Sequence, residues 1–271
     1  MTIVARAWVS SAPQLLKPEL NPDYAALVDG YGKVREDFAA KGVERIVYWS
    51  TQWLSVLGQM YQAGSELKGV HVDENWHDLG DLPFDFRVDR DLAAALCRAG
   101  EEAGFPGQTV DYRGFPVDTA TIIADRLLNQ ERLPVTMVAC NVYCDGAKTR
   151  AFSEVLSKLL MARPEKIGVV AVSHVTTSYH TVAIDLREDR IRGEAEQQFL
   201  TDFAGALTGA RWQDLDGLFR DCLGSIRNDM GLKALEWLAG TMPQGLFQAP
   251  WKIHAKGALY GAAGMVASIT A

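Results

Sequence analysis

An α/β fold, a single domain whose central, largely buried sheet is flanked by helices, is the architecture this sequence predicts. Three observations carry it. Apolar and β-branched runs alternate along the chain with longer amphipathic stretches. The run Ile167–Val172 (IGVVAV) is continuously apolar, the pattern of a strand buried on both faces. The segments between such runs are long enough to be helices, and strands separated by helices imply a sheet covered on both sides.

Each element has a local reason. Ile3–Val9 reads as the first strand, because the apolar N-terminal stretch is brief and holds Arg6 at its centre, unlike a signal peptide. Asn21-Pro22-Asp23 is a helix-start signal, so a helix is expected over 24–40. Residues 43–49 (VERIVYW) form a second strand, followed by the polar Ser50-Thr51-Gln52. A helix over 90–103 ends at Gly104, and a short strand is expected at 110–112. Asp118 caps a helix over 118–128. A strand at 135–139 leads to a helix over 147–161, closed before Pro164. Beyond Ile167–Val172, helices are expected over 190–207, 212–222 and 231–239, and the Gly- and Ala-rich end from 246 supplies the last strands. No long linker, repeat or low-complexity segment interrupts 1–271, so one domain is expected.

Composition excludes several classes. With 271 residues, 48% hydrophobic and 23% charged, the chain is too apolar for disorder and large enough to need no disulfide or metal staple. A net charge of −7 with no Lys/Arg cluster argues against a nucleic-acid protein. No run of 18 apolar residues spans a membrane. The four cysteines, Cys97, Cys140, Cys144 and Cys222, form no CxxC pair, which fits reduced structural thiols in a cytoplasmic protein.

Two segments hold candidate chemistry. Residues 71–87 (HVDENWHDLGDLPFDFR) lack a clear period and read as a long loop. His71, Asp73, Glu74 and His77 crowd together there, but HxDExxH is not a zinc-binding HExxH, and acidic Trp-containing loops also serve as solvated surface or subunit contacts. His71, Asp73, Glu74 and Trp76 are therefore candidates for a partner-facing segment. The second segment, SHVTTSYH after Ile167–Val172, sits where open α/β sheets bind ligands, beyond the carboxyl end of a strand. His174, Ser178, Tyr179 and His180 are its proton-transferring groups, and ordinary turn chemistry is the alternative. The chain has no GxGxxG, no GxxxxGK[ST] and no GxSxG.

The phrases VYWSTQWL (47–54), GVHVDENWHDLGDL (69–82), YRGFPVDTATI (112–122), IDLREDRI (184–191) and DMGLKALEWLAG (229–240) are long and unusual. On them the chain resembles the class III extradiol ring-cleaving dioxygenases, relatives of the protocatechuate 4,5-dioxygenase catalytic subunit, over nearly its whole length. Within that family it is similar to the α subunits of the aminophenol-cleaving members. The resemblance implies a single α/β domain and ring cleavage by O2 at a non-haem Fe(II) held by two His and one Glu. The matching positions here are Ala12, Gln52 and Ser268, and the acid/base His matches near Tyr179, with His180 one residue away. None of the three ligand positions keeps its family residue, so this chain is expected to bind no catalytic iron and to have no catalytic residues. The resemblance then implies a non-catalytic subunit beside an Fe(II)-bearing β subunit in an α2β2 assembly, cleaving 2-aminophenol or a substituted 2-aminophenol to a 2-aminomuconic semialdehyde. The vacated site is either collapsed or a pocket for a small aromatic. Two other readings stay open: a stand-alone enzyme and a small-molecule-binding protein, each using a site around His174, Tyr179 and His180, with Asp118 or His254 as further groups.

Overall fold

The fold comes from a computed structural model that describes residues 2–111, 117–211, 215, 226–242 and 249–270. Its regular elements in chain order are β1 (Ile3–Val9), α1 (Pro22–Lys41), β2 (Arg45–Ser55), β3 (Gln59–Gln62), β4 (Leu67–His71), β5 (Leu82–Phe86), α2 (Arg90–Glu102), β6 (Gly107–Val110), α3 (Thr119–Leu128), β7 (Val135–Asn141), α4 (Gly146–Met161), β8 (Ile167–Val172), α5 (Glu194–Thr208), α6 (Lys233–Gly240), β9 (Lys252–Leu259) and β10 (Ala262–Thr270).

Eight strands form one sheet in the order β6-β3-β7-β2-β8-β1-β10-β9. The centre, β7-β2-β8-β1, is parallel, while β10 and β9 add antiparallel beyond β1. The central strands are buried along most of their length, which explains their predominantly apolar sequences. On one face α2, α4, α5 and α6 bury Leu96, Phe152, Phe203 and Trp237, and Trp237 stacks on Trp49 at 5.5 Å between ring centroids. On the other face α1, α3 and the β4–β5 hairpin bury Tyr31, Ile123 and Leu82. Helix α1 packs so closely that a Cβ on Gly168 of β8 would lie 2.5 Å from the Phe38 ring. No helix among the described residues is long and apolar enough to cross a membrane.

Several boundaries differ from the sequence reading, each for a physical reason. Strand β2 continues through Ser50-Thr51-Gln52 to Ser55, with a register shift against β7 between Ser50 and Leu54. The segment 71–87 is no structureless loop. It supplies the end of β4, a 3-10 turn (His77–Leu79) and β5, hidden from period reading because only Leu79, Leu82 and Phe86 are buried. Helix α5 begins at Glu194, after a 3-10 turn at Leu186–Glu188, so 190–193 are not helical. Residues 229–232 form a 3-10 turn in which Met230, Gly231 and Leu232 have positive φ, and α6 starts only at Lys233. Asp118 caps α3 as expected, its Oδ1 accepting from Thr121 N at 2.9 Å. Tyr112, Cys222 and nearly all of the expected helix at 212–222 lie outside the described residues.

Arg6 and Asp125 are two ionisable groups whose pKa is shifted by burial in this frame. Arg6, fully buried in β1, donates to Thr241 Oγ1 at 3.0 Å, to the Thr241 carbonyl and to the Ile3 carbonyl at 3.3 Å. Burial lowers its pKa to about 10, so it stays charged at neutral pH. Asp125 on α3 accepts from Asn129 Nδ2 at 2.9 Å, and burial raises its pKa to about 6 against the pull of Asn129 and Tyr48. Between about pH 4, where an unfolded Asp ionises, and pH 6 the native state holds the extra proton, so this group's stabilisation fades as pH rises through that window. Asp125→Asn is expected to raise the melting temperature relative to the parent at pH 8 and to lose that advantage near pH 4. A thermal melt series across pH checks it, and an advantage that grows toward acid would refute the assignment.

Candidate functional site

The parallel strands end together, and a cavity of about 460 Å³ opens at their carboxyl edge. Pairing of β2 with β8 stops at Ser50↔Val172, and pairing of β1 with β8 stops at Val9↔Val172. Beyond these points the chains diverge, which makes the floor of the cavity from Ala12, Gln52 and His174.

The divergence is fixed by one carboxylate. Asp229 Oδ2 accepts from Thr51 Oγ1 (2.6 Å), Ser173 Oγ (2.9 Å) and the His174 backbone N (3.0 Å). Ser173 also anchors β1, its carbonyl accepting from Trp8 Nε1 (2.8 Å) and Ser10 Oγ (2.9 Å). A second carboxylate sets the turn between β9 and β10. Asp189 accepts from Tyr24 Oη, Tyr260 N and Gly261 N at 2.6, 2.6 and 2.7 Å. Gly261 has φ +76, and a Cβ there would meet His180 Nε2 at 2.3 Å, so glycine is required. This turn presents Tyr260 to the cavity, and Trp76 crosses its ring edge to face at 4.5 Å.

The remaining wall is the segment that follows β4. Thr119 Oγ1 donates to Asp73 Oδ2 (3.0 Å), so His71 Nε2 donates to Thr119 Oγ1 (2.7 Å). Asp73 Oδ1 accepts from Asn75 N (2.9 Å) and Trp76 N (3.0 Å), folding the segment over the mouth. Asp118 lines the same space and accepts from Ser50 Oγ (3.1 Å) and Thr121 Oγ1 (2.7 Å). Burial raises the Asp118 pKa against those hydrogen bonds. Burial lowers the His174 pKa, although Asp229 and a backbone hydrogen bond with Ser11 pull it upward, so its ring is neutral at pH 7. His174 Nδ1 is buried without a hydrogen-bond partner among the described residues.

The sequence-selected residues therefore divide. Ala12, Gln52, His174 and Ser178 meet at the cavity, and Asp118 joins them. His71, Asp73 and Trp76, selected as a partner-facing group, form its wall through contacts within the chain; Glu74 is exposed. Tyr179 is 84% exposed and does not line the cavity. His180 stands behind Tyr260, ring centroids 5.9 Å apart. Ser268 and His254 lie elsewhere, toward the far end of β10 and β9. There Ser268 Oγ donates to Asp37 Oδ2 (2.6 Å), and His254 Nε2 contacts Ser268 Oγ at 2.8 Å. So Ser268 does not join Ala12 and Gln52, and a combined His174–Tyr179–His180–His254 site does not form. Among the described residues no three His, Cys, Asp or Glu side chains are placed to hold a metal ion. Cys140 is an inert thiol, its pKa pushed up to about 12 mainly by burial.

Sequence reasoning missed Thr119, Asp189, Asp229 and Tyr260 as site-building residues. Asp189 and Asp229 both lie in phrases that carry the family resemblance, at 184–191 and 229–240. Since Asp229 takes three donors at once, Asp229→Ala is expected to destabilise the fold by roughly 2–4 kcal/mol. Urea unfolding checks it, and a change below about 0.5 kcal/mol would show that the strand ends hold without it.

Comparison with known proteins gives two findings. The chain is 31% identical over 271 residues to a protein named 2-aminophenol 1,6-dioxygenase alpha subunit from a Pseudomonas species, covering 98% of each. Its fold matches the crystal structure of an uncharacterized protein from Escherichia coli K12 with a TM-score of 0.65, covering 98% of this chain and 99% of that one at 14% identity. No protein-family model matches the chain.

Proposed function

This chain belongs to the family of the 2-aminophenol 1,6-dioxygenase alpha subunits, and from that premise we propose that it is the non-catalytic subunit of a ring-cleaving dioxygenase. In this reading a partner β subunit carries the Fe(II), and the assembly is α2β2. The reaction joins O2 to 2-aminophenol or a ring-substituted relative and yields a 2-aminomuconic semialdehyde.

The donor set at the cavity is the observation that carries the reading. A facial iron site needs two imidazoles and a carboxylate converging on one point with positions left open. Ala12 has no donor atom, and Gln52 offers a neutral amide. His71 and Asp73 are engaged by Thr119, and among the described residues no three His, Cys, Asp or Glu side chains converge to hold a metal ion. These residues do not fit Fe(II), so no step of the chemistry is assigned to them.

A partner needs a surface. Leu54, Val56 and Leu57, at and just beyond the end of β2, are exposed, Leu57 to 88%. Tyr143, 75% exposed, lies on the adjoining turn, which Val142 N ties to the Ser55 carbonyl at 2.9 Å. Exposed apolar side chains grouped in this way suit a subunit contact. The unpaired thiols of Cys97, Cys140 and Cys144 support a reducing, cytoplasmic setting.

Anaerobic purification, iron analysis and a 2-aminophenol cleavage assay test the reading. The chain alone is expected to be iron-free and inactive, and its co-expressed complex to be active with one iron per αβ pair. Iron and turnover in the lone chain would overturn it. Leu57→Asp is expected to reduce recovery of the complex at least about fivefold, since a charge would be buried unpaired, while leaving the chain folded by circular dichroism. Full recovery would move the contact elsewhere.

A further inference from the structure

We propose that the cavity of this chain binds a neutral aromatic ring carrying adjacent hydrogen-bond donors, of the 2-aminophenol type, and rejects rings and ring-opened acids that carry a carboxylate. The inference deepens the subunit reading above and rests on it for the choice of ligand.

The volume, about 460 Å³, is that of a small-molecule site. One side is aromatic, the crossed pair Trp76 and Tyr260, which offers a ring an edge or a face. The polar groups fall into two sets. His71, Asp73, Thr119 and Asp118 are bonded to one another or to the surrounding chain and hold the walls in place. Gln52 and Ser178 are not consumed in this way, the Gln52 amide making only a 3.4 Å contact from Nε2 to the Ser11 carbonyl, and His174, whose ring hydrogen-bonds the Ser11 backbone, keeps Nδ1 without a partner among the described residues. An amide oxygen, a neutral imidazole and a hydroxyl can each accept from a bound hydroxyl or amine.

Charge decides the class of ligand. No lysine or arginine lines the cavity among the described residues, whereas Asp73 and Asp118 both do. A carboxylate placed here would be desolvated beside two acidic side chains, with no cation among the described residues to offset it. A phenol or aromatic amine meets acceptors instead. Extradiol opening of an aminophenol ring with O2 turns a neutral ring into a carboxylate, so the cavity would hold the substrate of such a reaction and release its product.

Anaerobic calorimetric titration of the full-length chain with 2-aminophenol and with 2-aminobenzoate, which replaces the hydroxyl by a carboxylate, tests this. The expected result is saturable binding of one 2-aminophenol per chain, with 2-aminobenzoate at least about tenfold weaker. His174→Phe, which fills the floor and removes the imidazole, is expected to weaken 2-aminophenol at least about tenfold. Gln52 is exposed, so Gln52→Arg should fold normally; its added cation is expected to strengthen 2-aminobenzoate at least about fivefold. Absence of saturation, equal affinity for the two ligands, or indifference to both substitutions would overturn the proposal. The two readings fail separately. Binding without ring cleavage on co-expression would remove the subunit role and leave this site standing. Cleavage by the complex without binding to this chain would remove the site alone.

Discussion

The arrangement at the carboxyl edge depends on the Asp229 carboxylate. Parallel strands run side by side while their backbones pair, and they need a reason to separate in a fixed direction. Here Oδ2 of Asp229 collects a hydroxyl from β2, a hydroxyl from the residue after β8 and a backbone N–H from His174. A charged acceptor satisfied by three donors holds each of them more firmly than neutral pairs would. The Asp229 backbone itself sits beside three successive residues of positive φ, a conformation kept only where the surroundings over-determine it. The cavity floor, the His174 orientation and the start of α6 therefore share one determinant.

What could be read from the sequence follows from burial. Strands β1, β7 and β8 are buried on both faces and so announce themselves as apolar runs. Strands β3, β4 and β6 are short or half-exposed, and their pairing depends on partners far away in the chain. His174 and Ser178 were legible because the end of a buried strand is a predictable place. Trp76 and Asp73 were legible as special residues but not as cavity wall, because their partners Tyr260 and Thr119 are remote in sequence. Ser268 failed for a topological reason. Strand β10 is antiparallel to β1, so Ala262 borders the cavity while Ser268, six residues on, lies about 20 Å down the strand. Matching short Gly- and Ala-rich phrases carries no information about that direction.

The walls of the cavity and its floor are held by different parts of the chain. The walls are maintained by hydrogen bonds that involve no metal: Asp189 holds the β9–β10 turn, and Asp73 folds its own segment through two backbone N–H groups. The shape of such a cavity is written in the surrounding turns.

Arg6 has a consequence beyond the folded state. The strand IVARAWV would otherwise be an uninterrupted apolar, β-prone heptapeptide, made before its sheet neighbours β8 and β10. Its partners β8 and β10 arrive more than 150 residues later. Until then a guanidinium at the centre of the segment opposes its self-association, the task of a gatekeeper residue. Once the sheet closes, the end of α6 supplies the carbonyl and hydroxyl that make the same charge tolerable inside. The residue that looks most out of place in the core is thus also the one that interrupts its most association-prone strand.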